Sequence, residues 1–418
     1  MTIGKGTRGA RCGAMLGLVL AAAMLIAACG GSSSKSIASN GGPINVCGDL
    51  ALSGAYSQLG QTNNWGHQAY FKWVNAHGGL KGHQVHYTVI DNQSQPAQAA
   101  LIAQKCIKQN HADFIVGPES GADAQAAMPI AIANKTVMVT ESSGWQTNGY
   151  KNLTSYGFPG FYDVFYNDQL ASVQDVIVPQ HMTRVALIQN QCGPVCTVNQ
   201  QSVQQLAAKY HFKLVATQTV PLTATNITPQ VLSLLQAKPQ IILLGLVPGP
   251  PSITAIRAIR DQDPNIPISE CSACELPSFV SAAGGANNMQ HVYILGSMPT
   301  WLQHAQQGSS PLDKQTAASI SLYLQAMKAA GLNSTNQIVN SQVGFDAGLE
   351  IGWAVTHSPS LSEDDIYHTL QHLKTNTMGI QWDRTPQNYE NITAVDAAME
   401  IIKPNGQAVL YNPSSGPA

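Results

Sequence analysis

Charge is scarce in this chain of 418 residues: Lys, Arg, Asp and Glu together make up 11%, and the formal net charge is −2. No stretch is basic enough to hold a phosphate backbone, which excludes nucleic acid as a partner. Long apolar runs are missing as well. The segment Ala14 to Ala28 stops short of the roughly 20 residues that a membrane-spanning helix needs. Signatures of common chemistry are absent too. In Gly117-Pro118-Glu119-Ser120-Gly121 the Ser stands one place too far along for a G-x-S-x-G elbow. No G-x-G-x-x-G follows the first predicted strand, and no phosphate-cradling G-x-x-x-x-G-K is present. Without a nucleophile and base, a metal set or a cofactor loop, the expectation is a protein that is not an enzyme and carries no cofactor or metal.

What is present begins at the N-terminus. Lys5, Arg8 and Arg11 precede the apolar segment, and Cys29-Gly30-Gly31-Ser32-Ser33-Ser34 follows it. A positive head, a short apolar stretch and small residues describe a secretory signal over 1–28. Ile26-Ala27-Ala28-Cys29 resembles a bacterial lipobox, so Cys29 is expected to take a diacylglycerol, with 29–42 as a flexible tether. The chain is then extracytoplasmic and held to the bacterial membrane by its lipid alone. Six cysteines remain: Cys47, Cys106, Cys192, Cys196, Cys271 and Cys274. An even count in an exported chain points to disulfides. Proximity favours Cys192–Cys196 and Cys271–Cys274, leaving Cys47 with Cys106. Cys271-Ser-Ala-Cys274 also fits a redox motif or half a zinc site, the less favoured alternatives.

The stretch 44–98 organises the rest. Ile44 to Leu52 is an apolar run ending at Ser53-Gly54, which predicts a buried strand entering a loop. Trp65, Ala69, Phe71, Trp73 and Val74 give one helical face an apolar stripe, and His77-Gly78-Gly79 stops that helix. Val85 to Ile90 is a second strand, and Asp91 to Pro96 leads into a second helix. Strand, loop, helix, strand, helix predicts a doubly wound α/β domain, whose ligands sit beyond the carboxyl ends of the strands. The loop from Ser53 to Gln61, with Tyr56 and Leu59, is therefore the first candidate site. A chain of this length also exceeds one core and predicts two lobes.

Leu52, Ser53, Gly54, Tyr56, Gly60, Asn75, Gly78, Gly79, Leu80, Gly82, Asp91, Ser94, Pro96 and Ala99 carry a pattern that resembles the branched-chain amino acid type of periplasmic substrate-binding lipoprotein. Ile115-Val116-Gly117-Pro118 and the Ser142-Ser143 turn continue it. The resemblance implies a type I periplasmic binding fold, with two doubly wound parallel-sheet lobes joined by three crossovers. The lobes are expected at 43–160 with 297–377 and at 161–296 with 378–418. It further implies a monomer that closes on a small-molecule ligand and serves the permease subunits of an ABC importer. A sensory protein of the same fold and a redox lipoprotein using Cys271 and Cys274 are the alternatives.

The resemblance also designates ligand positions. Ser120 and Gly121 start a helix after the strand ending at Val116, where unpaired N–H groups favour an anion. Capping by Ser120 or Asp123 is the structural alternative. Ser142, Ser143 and Gly144 occupy the turn that supplies a hydroxyl and N–H groups. Cys192 stands where relatives commonly place a tyrosine, and Val247 ends the apolar run Ile241–Val247. Glu270 and Glu275 lie nearest the α-ammonium position, and Phe345 begins a helix lining the cleft. With Cys192 and Pro248 in the second lobe, the expected ligand is not leucine, isoleucine or valine but an aromatic compound or one lacking an α-ammonium. His368 and His372 share a helical face without a third ligand, so they are expected to be exposed polar residues. Met378 to Asp383 is expected to be the third crossover.

Overall fold

The structure, a computed structural model, describes residues 36–38, 41–54, 56–142, 157–159, 169–191, 194–221, 223–246, 249–270, 274–389 and 391–413. The leader and Cys29 lie outside them. In chain order the first elements are β1 (Ile44–Leu50), α1 (Ser57–Ala76), β2 (Val85–Asp91), α2 (Pro96–Lys108), β3 (Phe114–Val116), α3 (Gly121–Ala133), β4 (Val137–Thr140) and β5 (Gly157–Pro159). Their strands form a parallel sheet in the order β2-β1-β3-β4-β5. After a π-helical turn at Val173–Ile177 come β6 (Arg184–Asn190), α4 (Pro194–Tyr210), β7 (Lys213–Val220), α5 (Thr228–Gln236), β8 (Ile241–Gly245), α6 (Pro250–Gln262), β9 (Ile268–Glu270), α7 (Pro277–Ala282) and β10 (Val292–Leu295). The parallel part of this second sheet runs β7-β6-β8-β9-β10, the same winding as the first.

Burial explains why these runs are strands. β1 is apolar along most of its length because a parallel strand is covered on both faces. Successive side chains then go to opposite layers. Val46, Phe114, Val116, Val137 and Val139 join the core under α1, whereas Cys47, Ile115 and Met138 join the core under α2 and α3. Cys47 and Cys106 form a disulfide across that second layer, with Cα atoms 5.7 Å apart. The predicted pairings Cys192–Cys196 and Cys271–Cys274 involve residues or side chains outside the described set; Cys274 itself is buried.

The last third of the chain supplies α8 (Met298–Gln307), α9 (Pro311–Ala329), α10 (Thr335–Asn340), α11 (Gln342–His357), α12 (Glu363–Leu370), β11 (Lys374–Thr377), β12 (Ile380–Asp383), β13 (Ile392–Val395), β14 (Met399–Ile402) and β15 (Ala408–Leu410). Two glycines let α11 lie directly on α1. A Cβ on Gly66 would sit 2.1 Å from the Ser341 carbonyl oxygen, and one on Gly344 2.0 Å from that of Asn63. His368 and His372 are engaged locally, by Gln371 Oε1 at 2.9 Å and by the His368 carbonyl at 2.8 Å. No three His, Cys, Asp or Glu side chains converge on a metal position among the described residues. No described helix is long and apolar enough to cross a membrane.

The third crossover differs from expectation. Met378-Gly379 is a hairpin turn, and β11, β12 and β13 form a separate antiparallel sheet. Trp382 of β12 is fully buried and donates from Nε1 to Thr377 Oγ1 at 2.7 Å. Arg384 follows it, clasping Glu350 of α11 through two hydrogen bonds of 2.7 and 2.8 Å and lying over the Trp382 ring at 4.3 Å. An apolar stretch that contains a buried tryptophan needs a surface to pack on, and α11 provides it. The chain reaches the second sheet only at β14, which adds antiparallel to β10, followed by β15. There the second and third crossovers run side by side: the Gly296 N–H donates to the Ala398 carbonyl at 2.8 Å, and Ser297 Oγ donates to Glu400 at 3.0 Å.

Candidate ligand-binding site

In each sheet the chain winds in opposite directions from its first strand, so β1/β3 and β6/β8 are switch points where diverging loops leave a crevice. Those loops are 51–56 and 117–120 in the first sheet, and 191–193 and 246–249 in the second. The two sides approach each other: a Cβ on Gly249 would lie 3.8 Å from Gln58 Oε1 in the first turn of α1.

The 51–56 loop is held from β2's end. Gly54 has φ +85°, and a Cβ there would meet the Gln93 carbonyl oxygen at 2.6 Å, so only glycine suits the turn. Ser53 donates to Asp91 from its N–H at 3.1 Å and its hydroxyl at 2.7 Å. Ser94 Oγ donates to the Ser53 carbonyl at 2.9 Å and accepts the Tyr56 N–H at 3.0 Å. Partial burial pushes Asp91 up, but the Ser53 hydroxyl and the Gln93 and Ser53 N–H groups outweigh it and hold this carboxyl below its usual range. Asp91, Ser94 and Gly54 thus clasp the loop. Tyr56 is half-buried, its hydroxyl pushed up by burial and then by the charge of Asp123. Leu59 is exposed on α1.

Ser120 caps α3: its Oγ accepts the Asp123 N–H at 3.1 Å, and its carbonyl accepts the Ala124 N–H at 2.9 Å. Gly121 is the first helical residue. Ser142 is buried directly after β4, next to Glu141. Ser143, Gly144, Cys192 and Val247, and the side chain of Glu270, lie outside the described residues. The backbone of Glu270 ends β9. Phe345 is a correction. It is fully buried between Tyr70 and Tyr323, edge-on to both at 5.3 and 5.1 Å, and serves the core between α1, α9 and α11.

Beneath these loops lies a buried polar layer that residue types alone did not reveal. Glu119 accepts the Ala51 N–H at 3.1 Å, tying the β3 loop to the end of β1. Glu141 accepts from Asn63 Nδ2 at 2.6 Å and meets His67 Nε2 at 2.5 Å. His67 Nδ1 lies 3.2 Å from Tyr87 Oη, which donates to Asn64 Oδ1 at 3.0 Å. Asp49 accepts from Asn92 Nδ2 at 3.1 Å. Burial raises Glu119 well above its ordinary range, with the Glu141 charge adding to it, and burial raises Asp49 likewise. One signal was available: Asn63, His67 and Phe71 recur every four residues, so two polar groups ride on the helix face that packs inward.

Two like-wound sheets with opposed switch points, and a clasped loop on one rim, define a two-lobed α/β architecture. The sequence profile of the periplasmic binding protein family matches residues 43–388, and the chain belongs to that family. It is accordingly an extracytoplasmic solute-binding protein of the type I fold. An extracellular ligand-binding receptor from Rhodopseudomonas palustris HaA2 superposes with TM-score 0.69 at 17% identity, covering 88% of this chain and 100% of that one. The branched-chain amino acid transporter substrate-binding protein of Streptococcus pneumoniae, solved with isoleucine, gives 0.67 at 18%, with coverage of 88% and 99%. A solute-binding protein of an R. palustris ABC transporter, solved with 4-hydroxybenzoate, gives 0.69 at 18%, with coverage of 88% and 96%. A search of curated protein sequences finds no match.

Proposed function

We propose that this chain is the solute receptor of an ABC importer, tethered to the outer face of the cell membrane by a lipid on Cys29. Its lobes close on a small polar or amino-acid-like solute and present it to the permease subunits. The reading is carried by the opposed switch points, with Gln58 of one lobe already beside Gly249 of the other. Hinge closure about the paired crossovers at Gly296 and Ala398 is the motion such a layout allows. The lobes divide as 43–160 with 297–395, and 161–296 with 396–418, since β12 and Arg384 are pinned to α11. Related folds take isoleucine in one case and 4-hydroxybenzoate in another, so the fold leaves the ligand open. With Cys192 and Pro248 following β6 and β8 in the sequence, the ligand here is not leucine, isoleucine or valine. A thermal-shift panel of amino acids, aromatic acids, amines and amides tests the reading, because a ligand of the closed form raises Tm by mass action. A saturating ligand at about 100 times its Kd adds roughly 2.7 kcal/mol. Tight leucine binding with no response to any aromatic compound would overturn the ligand assignment.

A further inference from the structure

The tether expected over 29–42 is not free along its whole length. Ser36, Ile37 and Ala38 lie against the first lobe, ahead of β1. The Ile37 N–H donates to the Leu361 carbonyl at 2.8 Å, and Ser36 pairs antiparallel with Ser362 in an isolated β-bridge. Ser36 Oγ donates to the same Leu361 carbonyl at 3.1 Å. The Ala38 N–H reaches Asp113 Oδ2 at 3.5 Å, the oxygen that also accepts the Asn45 N–H of β1 at 2.9 Å. Ile37 is 1% exposed and, with Ala38, belongs to the core that holds Val46, Phe114 and Ile366. Ala38 has φ +49°, a left-handed conformation that an alanine keeps only where its surroundings fix it. A buried isoleucine flanked by bonds to two distant parts of the chain is a docked segment, not a linker.

The docking place lies at the end of the lobe away from the crevice. Asp113 directly precedes β3 and Asn45 stands near the start of β1, so both mark the amino-terminal edge of the parallel sheet. The crevice loops leave the opposite, carboxyl edge. Cys29 stands seven residues before Ser36, which limits a leash from the lipid to about 25 Å when fully extended. With the segment detached, the fifteen residues to Ile44 allow about 50 Å. Lys35 is the one Lys or Arg between Cys29 and Lys72, and the bond after it leads straight into the docked residues.

We propose that segment 36–38 is a strap that fastens the lipid anchor to the first lobe at the end away from the crevice. Docked, it keeps the leash short and shields the Lys35–Ser36 bond from proteases; released, it doubles the reach of the receptor. The inference rests on the lipid-anchored receptor reading and goes beyond it.

The test uses the lipidated full chain in vesicles of phosphatidylethanolamine and phosphatidylglycerol, treated with trypsin. The readout is the rate at which a fragment beginning at Ser36 leaves the sedimenting vesicles. Cleavage follows the population of the undocked state, so Ile37→Ser, which removes the buried side chain, is expected to speed release by about tenfold or more. Hydrogen exchange at the Ile37 amide of the wild-type protein needs no variant, and protection of about tenfold or more over an open chain is expected there. Equal release from wild type and Ile37→Ser, or an Ile37 amide that exchanges as in an open chain, overturns the strap and leaves the receptor reading standing. A chain that does not sediment with the vesicles before trypsin is added overturns the lipid anchor and the leash with it, while the exchange at Ile37 still decides whether the segment is docked.

Discussion

Two groups of buried carboxylates stand in the first lobe, and they are built on opposite principles. Glu350 and Asp346 of α11 share Arg384, which binds Glu350 through two short hydrogen bonds and lies on Trp382. Burial raises both carboxyls, Asp346 well above its usual value, while Arg384 draws Glu350 back down. Beneath the crevice loops, of Asp49, Glu119, Asp123 and Glu141 only Glu141 meets an imidazole, that of His67. A planar guanidinium that reaches two acids is a structural lock. Acids buried with one imidazole among them carry raised carboxyls instead, Asp49 and Glu119 well above their usual range. Burial alone therefore does not tell the two groups apart; the supply of positive charge does.

The strongest way to break this contrast is Arg384→Met. It strands Glu350 and Asp346 and releases β12 from α11, and is expected to cost about 3–5 kcal/mol in urea unfolding at neutral pH. A cost below about 1 kcal/mol would show that the ion pair is not what holds the three-stranded sheet. His67→Leu comes next. With its one basic partner gone, Glu141 remains buried beside Asn63, and a loss of about 2–3 kcal/mol is expected at neutral pH. A loss below about 0.5 kcal/mol in urea unfolding would contradict the pairing.

Glu119→Gln should act with the opposite sign. An acid raised by burial binds its proton more tightly in the folded state. Its contribution to stability is present in full below the ordinary carboxylate value, about 4.3, and is lost as pH rises through the raised one. The amide keeps an acceptor for the Ala51 N–H and removes that loss. A gain on the order of 1 kcal/mol at neutral pH and a flatter stability curve above about pH 4.3 are expected. Destabilisation by Glu119→Gln at every pH would place Glu119 with the locked group instead.

Asp91→Asn should have the smallest effect. Its carboxyl is held low by Ser53 and Gln93, so its contribution is present above the ordinary carboxylate value and lost as pH falls through the depressed one. The group is largely solvated, and a few tenths of a kcal/mol is expected. Faster hydrogen exchange at the Ser53 and Gln93 amides is the readout, since the change should loosen the loop without unfolding the lobe.

Much of the first lobe was legible because local rules suffice there. The apolar run of β1, the glycine stop after α1 and the turn residues at Ser53-Gly54 each act within a few residues of chain. The Cys47–Cys106 pairing was also reached, because the remaining cysteines had closer partners. Phe345 was misassigned to the cleft for a physical reason: an aromatic residue at a helix start looks the same whether it packs on a ligand or between Tyr70 and Tyr323. Met378 to Asp383 was misread because an apolar stretch between helices and strands does not announce which surface will bury it. His67, Asn63 and Glu141 were missed because their network joins α1 to the end of β4 across 78 residues of sequence.

The doubly wound order at the start of the chain and the extracytoplasmic character of the family followed from the sequence, since both depend on residue type and short-range spacing. Which acids are paired and which are not was decided only by the tertiary structure. A carboxylate's state depends on how many donors the fold brings within about 3 Å, and those donors come from distant parts of the chain.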